Sequence, residues 1–120
     1  MKDFSDNWAE KAKKLGYRSR ASFKLEQIEN KYKIISRSNF IFELGSAPGG
    51  WSQVISKYMN KQSKCFSFDL LSMSEVKNIS FFQQDINSSE FNSLAKNYFN
   101  EVDLILSDMS VNLSGIYIKD

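Results

Sequence analysis

The sequence predicts an α/β fold built on a parallel sheet, and three observations predict it. Short apolar runs bounded by polar or turn residues recur after residue 39, at Phe40–Leu44, Cys65–Asp69, Ile79–Phe82 and Val102–Leu106. Helical stretches fall between them, first Trp51–Tyr58, with Trp51, Val54, Ile55 and Tyr58 on one side, and then Phe91–Phe99. A glycine-rich loop, Gly45–Gly50, joins the first run to the first of these helices. Strand, helix and strand at this spacing make βαβ units, whose right-handed crossovers lay the strands parallel.

The 120 residues, 42% hydrophobic and 25% charged, make one packed domain. The chain has no His, which excludes a Ser-His-Asp triad, a Cys-His pair and an imidazole base. Its single Cys makes no internal disulfide and, without His, no structural zinc site. The start carries acids rather than an apolar export signal, and no run approaches the ~20 apolar residues of a spanning helix. The expectation is a cytoplasmic protein that does not contact a membrane.

The first part of the chain differs from the rest. Residues 1–38 hold ten basic side chains against five acids, whereas residues 39–120 hold six against nine. A basic segment on a mildly acidic body suits a polyanion, nucleic acid being the commonest. Residues 6–15 read as a helix with Asp6 as N-cap and Gly16 as stop. A second helix runs to about Lys33, with Ala21, Leu25, Ile28 and Tyr32 along one face and Lys24 beside that stripe.

In open α/β sheets ligands bind beyond the carboxyl ends of the strands. The Gly45–Gly50 loop, Asp69, Asp85 and Asp108 all fall there. The loop has the spacing of a P-loop, but Trp51 stands where the phosphate-binding Lys must be. Ala47 likewise denies it the dinucleotide fingerprint. What remains is a tight turn that brings backbone close to a ligand without a polyphosphate cradle. A strand-end Asp69 suits both ribose hydroxyls of an adenosine, and Asp85 suits an exocyclic amine. A nucleoside without phosphates, held by carboxylates, suggests S-adenosylmethionine, whose sulfonium is itself cationic.

Several stretches match a known family in order and approximate spacing, from about residue 6 to residue 115. They are Tyr17-Arg18-Ser19-Arg20-Ala21-Ser22-Phe23-Lys24-Leu25, Leu44-Gly45-Ser46-Ala47-Pro48-Gly49-Gly50-Trp51-Ser52-Gln53, Asp69-Leu70-Leu71-Ser72-Met73, Gln84-Asp85 and Leu106-Ser107-Asp108-Met109-Ser110-Val111-Asn112-Leu113-Ser114-Gly115. The chain resembles the FtsJ (RrmJ) family of ribosomal RNA ribose 2′-O-methyltransferases. The resemblance implies a Rossmann-like α/β methyltransferase domain, with N-terminal helices and the first four of seven strands present here. It implies S-adenosylmethionine as cofactor, with Gly49, Trp51, Asp69, Asp85 and Asp108 in contact and Glu43, Gly45, Pro48 and Gly50 lining the site. Lys24 and Asp108 match the first two members of the family's Lys-Asp-Lys-Glu catalytic set, as orienting groups, the base being the second Lys. Arg18, Arg20 and Lys24 fall on the RNA side. The partner implied is 23S ribosomal RNA within the large subunit, met by a monomer, and the target is a ribose hydroxyl, on a uridine.

The match has departures. The family usually has Asp where Glu43 stands, Ala at Ser46, Pro at Ser72 and Ala-Pro at Ser110-Val111. Its second Lys and its Glu have no counterpart up to Asp120. The expectation is one incomplete domain over residues 1–120, with 1–38 as its basic helical part and 39–120 as the cofactor half of the sheet. Its fourth strand would be left as an exposed apolar edge. The alternatives are an inactive remnant that at most binds cofactor or RNA, and a 2′-O-methyltransferase of transfer RNA or of an mRNA cap.

Overall fold

A computed structural model describes residues 4–109 and 113–118, with side chains over 7–108. Helices α1 (Phe4–Lys14) and α2 (Ala21–Tyr32) precede β1 (Phe40–Leu44), α3 (Gly50–Tyr58), β2 (Lys64–Asp69), β3 (Ile79–Gln83), α4 (Ser89–Tyr98), β4 (Leu104–Met109) and β5 (Leu113–Ile118). The sheet order is β3-β2-β1-β4-β5. The first four strands are mutually parallel, and β5 runs antiparallel to β4. The chain steps outward from β1 to β2 and β3, then returns to place β4 on the other side of β1. That reversal opens a crevice at the carboxyl ends of β1 and β4.

Alternation along the strands divides the interior. Ile41 lies between Cys65 and Leu104 in register and is buried with them beneath α2 and α3, against Leu25, Val54 and Ile55. Phe40, Phe42 and Phe68 point the other way, with Phe66 and Phe82, and α4 covers them with Phe91, Leu94 and Tyr98. Each of these rings is within 6.0 Å of another, most in edge-to-face contact.

Several expectations shift. The α1 helix begins at Phe4, so Asp6 lies inside it rather than at its cap, while Gly16 follows its end as expected. In α2 Leu25 is fully buried, but Tyr32 is 54% exposed, and the buried set instead includes Phe23 and Glu29. Glu29 turns inward because its carboxylate accepts from the N–H groups of Ile35 and Ser36 at 2.7 and 3.2 Å, closing the chain behind the helix. Helix α4 starts two residues early, where the Ser88 hydroxyl accepts from Phe91 N at 3.1 Å.

The fourth strand also starts later than Val102. Val102 is buried with the aromatic layer, and the Asp103 carboxylate takes the Asn39 and Phe40 N–H groups at 2.9 and 3.1 Å, so residues 102 and 103 lead into the strand. Asp108 consequently lies within β4 rather than in the loop after it. The exposed edge expected at β4 is not there, because Leu113–Ile118 pairs along all of it, from Leu104↔Ile118 to Met109↔Leu113. The Ser110-Val111 departure and Asn112 lie outside the described residues. Among the described residues no helix is long and apolar enough to cross a membrane.

Candidate cofactor-binding site

Register sets out the site. Leu44 pairs with Phe68 on one side and Ser107 on the other, so the next residues along, Gly45, Asp69 and Asp108, stand abreast at the carboxyl edge. Asp69 pairs with Gln83, which puts Gln84 and Asp85 one and two steps beyond. A cleft of about 370 Å³ opens over this edge, lined by Gly45, Ala47, Phe68, Asp69, Leu70, Leu71, Gln84, Asp85, Ile86, Asn87 and Asp108. A smaller recess continues from Asp108 beneath the loop, lined by Ser19, Ala21, Glu43, Gly45, Ser46, Ala47, Pro48, Gly50 and Trp51.

The loop after β1 is fastened to the end of β2. Gly45 N and Ser46 N donate to Phe68 O at 2.8 and 3.1 Å, and Ala47 N donates to the Asp69 carboxylate at 2.8 Å. The other Asp69 oxygen accepts from Leu71 N at 2.9 Å. Each carboxylate oxygen keeps a second acceptor site for a ligand. Asp85 is held similarly, its Oδ1 accepting from Asn87 N at 2.8 Å and its carbonyl accepting from Ser88.

Under the loop sits a buried carboxylate. Glu43, 1% exposed, is held by the hydroxyls of Ser52 on α3 and Ser67 on β2, which donate to its Oε1 at 2.5 and 2.7 Å. Its Oε2 is buried without a hydrogen-bond partner. Burial pushes the Glu43 carboxyl up to about 7; the two serine hydrogen bonds oppose this, and the charges of Asp108 and Asp69 add to it. Ser46 Oγ in the recess and Gln84 Oε1 at the wall of the larger cleft are likewise buried without a hydrogen-bond partner. Such unpartnered buried oxygens are rare in folded proteins.

The two most distinctive sequence stretches turn out to be one structural unit. Trp51 is 4% exposed, and its indole N–H donates to Ala21 O at 2.9 Å. Its ring therefore belongs to the core, and toward a ligand it offers backbone in the first turn of α3, where N–H groups lack helical partners. Ser22 Oγ donates to Gly50 O at 2.9 Å, Arg18 N donates to Gln53 Oε1 at 2.8 Å, and Gln53 Nε2 donates to Gly16 O at 2.9 Å. A Cβ at Gly50 would lie 2.8 Å from Ser19 Cβ and from Ser22 Oγ, so only glycine admits this contact.

The structure thus brings Gly45, Pro48, Gly50, Asp69, Asp85, Asp108, Glu43 and the backbone of Trp51 to one edge. Lys24 is exposed on α2, one turn after Ala21 of the recess, and Arg20 is exposed beside it. Arg18 is partly buried and its guanidinium donates to protein carbonyls. The residue reading missed Ser67 and Gln84. Ser67 carried a signal, a hydroxyl at an inward position of an otherwise aromatic strand. Gln84 is marked only by the family stretch Gln84-Asp85, since a glutamine ahead of a loop acid otherwise reads as surface.

The FtsJ-like methyltransferase family model matches residues 17–120. A ribosomal RNA large subunit methyltransferase E from Francisella tularensis subsp. novicida is 44% identical over 120 residues, covering 97% of this chain and 57% of its own length. Its counterpart from Francisella philomiragia is 41% identical over 118 residues, with the same coverage of 97% and 57%. The crystal structure of a ribosomal RNA methyltransferase from Plasmodium falciparum superposes with a TM-score of 0.63 at 33% identity, over 82% of this chain and 59% of that one. The chain therefore spans a little over half the length of the relatives it matches. S-adenosylmethionine, the cofactor expected from the residues, is the one these findings support. With its glycine turn, its carboxylate edge and its two signatures interlocked, the chain belongs to the FtsJ-like methyltransferase family.

Proposed function

We propose that this chain is the cofactor-binding part of an S-adenosylmethionine-dependent methyltransferase that modifies a ribose 2′-hydroxyl, on a uridine of 23S ribosomal RNA, acting in the cytoplasm as a monomer on the large ribosomal subunit. The observation that carries the reading is the carboxylate edge, with Asp85, Asp69 and Asp108 ranged around the Gly45 turn and three buried, unpartnered oxygens beside them, on Glu43, Ser46 and Gln84. An adenosine offers donors at its ribose and exocyclic amine, and a methionyl end offers an ammonium, so the residues fit the group. Asp69 would hold the ribose hydroxyls, Asp85 the amine, the first turn of α3 the carboxylate end, and Glu43 the ammonium end. Bound there, S-adenosylmethionine supplies an activated methyl group.

The chain's own work is alignment. In-line transfer to an oxygen gains most of its rate from holding reactants in register, and the interlocked loop supplies a rigid seat. Asp108 lines both the cleft and the recess, so it stands at the passage between nucleoside and reacting end. Lys24, exposed on α2 one turn after Ala21 of the recess, would meet a polyanion and orient the nucleophile. Loss of the hydroxyl proton requires a base, a role the family resemblance gives to a second Lys rather than to Lys24.

Mass spectrometry of the methylated nucleotide tests the reading. In cells that depend on the protein at the length of its relatives, nuclease digests of 23S RNA should contain a uridine carrying its methyl on the ribose. A methyl on the base, or on transfer RNA alone, would overturn the proposal. The 120 residues by themselves should bind S-adenosylhomocysteine without transferring methyl groups to ribosomal RNA.

A further inference from the structure

Two neighbouring loops wall part of the cleft: residues 45–49 after β1, through Gly45 and Ala47, and residues 70–78 after β2, through Leu70 and Leu71. The second is nine residues long without helix or strand, and Leu70 and Leu71 at its start are 64% and 68% exposed. Where they face the cleft, Asp69 joins the two loops through Ala47 N. A side chain that does not line the cleft joins them as well. Arg18 Nη1 donates to Pro48 O at 3.1 Å and to Ser74 O at 2.7 Å, and its Nη2 donates to Glu75 O at 2.8 Å. One planar fork thus ties the carbonyl of one wall to two successive carbonyls of the other. The arginine is fixed in turn by its own N–H on Gln53.

The neighbouring glycine is fitted to this contact. Gly49 sits at φ +115°, and a Cβ there would lie 2.6 Å from Arg18 Nη1 and 3.3 Å from Arg18 Cδ. The guanidinium therefore occupies the space that any larger residue at position 49 would need. A lysine could supply charge at position 18 but not a fork that reaches three carbonyls on two loops.

We infer that Arg18 is a positioning residue for the cofactor, a clamp that sets the distance between the two walls of the nucleoside cleft, rather than a contact to RNA. The inference rests on the S-adenosylmethionine reading and is independent of which RNA is modified.

The test separates cofactor from RNA. Calorimetry with S-adenosylhomocysteine, and filter binding with transcribed 23S RNA at several salt concentrations, are run on the wild-type chain, Arg18→Lys and Arg18→Ala. Arg18→Lys should lose about tenfold in affinity for S-adenosylhomocysteine, as expected when charge-assisted bonds to a loop are lost. Its RNA affinity and salt slope should stay within about twofold of wild type, because the charge remains. Methylguanidinium at a sub-denaturing concentration should restore part of the cofactor affinity of Arg18→Ala. A guanidinium ion weakens ordinary packing, so a general loss of structure would be worsened rather than rescued.

Should the Arg18 variants not fold, Gln53→Ala frees the Arg18 amide while keeping its guanidinium, and should weaken S-adenosylhomocysteine binding severalfold. Unchanged cofactor affinity in Arg18→Lys, or in Gln53→Ala where that variant stands in, overturns the clamp, as does a loss confined to RNA. A wild-type chain that binds no S-adenosylhomocysteine overturns the cofactor reading itself, and the clamp with it.

Discussion

The two faces of the sheet are built from different materials. Beneath α4 the layer is almost wholly aromatic, with Phe40, Phe42, Phe66, Phe68, Phe82, Phe91 and Tyr98 in mutual contact. Beneath α2 and α3 the layer has a comparable apolar floor, yet it also buries Ser22, Glu29, Glu43, Ser52 and Ser67. Burying polar groups costs stability unless each finds a partner, and a buried carboxylate costs most. The aromatic face gains from non-directional contact alone. The polar face accepts a penalty, and it is the face whose far end carries the recess and the glycine loop. The difference assigns apolar stability mainly to one side of the sheet and the buried polar groups of the site mainly to the other, although Phe68 and Ile86 of the aromatic side also line the cleft.

The sharpest way to break that division is to damage the aromatic side. Phe40 is 2% exposed, touches Phe42, Phe66 and Tyr98, and lines neither cavity. Phe40→Ala should cost about 3–5 kcal/mol of unfolding free energy, read from urea denaturation. That is a large share of what a domain of this size has. The fraction that stays folded should bind S-adenosylhomocysteine as the wild type does. A lost affinity in the folded fraction would show that the aromatic side shapes the site.

The next effect belongs to the polar side. Below about pH 4.5 the Glu43 carboxyl is protonated whether the chain is folded or not; between there and about 7 only the folded chain keeps the proton. The folded state then holds more protons than the unfolded one, so stability falls as pH rises across this window. At full development the loss is about 3 kcal/mol. Asp69 and Asp108 face the same carboxyl, and the buried Cys65 thiol feels its charge. Glu43→Gln keeps hydrogen bonds to Ser52 and Ser67 and has nothing to titrate. Urea midpoints between pH 5 and 8 should therefore decline for wild type and flatten for Glu43→Gln, which becomes the more stable chain near neutrality. A wild-type profile as flat as the variant's would mean that Glu43 pays no penalty for its burial.

The same contrast explains what could be read from the sequence. The aromatic side is legible because alternation of Phe40 and Phe42, and of Phe66 and Phe68, is the ordinary mark of a strand. The strand-end acids are legible because their position after each run is enough to place them. Glu43 is marked only by the family resemblance, as a residue lining the site, since nothing local reveals that Ser52 and Ser67 will converge on it, or that Ile35 and Ser36 will converge on Glu29. The bonds of Arg18 are hidden for the same reason: its partners, Pro48, Ser74 and Glu75, lie 30 to 57 residues away. The fifth strand was hidden by Gly115, which interrupts an apolar run, and by antiparallel pairing in a sheet whose other strands are parallel.

Lys24 gives the smallest effect on stability and so the finest test of the division. It is exposed, on a helix whose buried side is carried by Ser22, Phe23, Leu25 and Glu29. Alanine at an exposed helical position keeps the helix and removes only a solvated charge, so Lys24→Ala should move the urea midpoint by no more than about 0.5 kcal/mol in unfolding free energy. Affinity for S-adenosylhomocysteine should also hold, because Lys24 lines neither the cleft nor the recess. Ribosomal RNA methylation by the protein at the length of its relatives should nevertheless fall by two orders of magnitude or so, the scale on which misplacing a reacting group slows transfer. Methylation that survives Lys24→Ala would remove the residue from the catalytic set. A stability loss above about 1 kcal/mol would instead make it part of the packing that joins α2 to the sheet. Only the combination of intact folding, intact cofactor binding and lost transfer matches a side chain whose partner is the RNA.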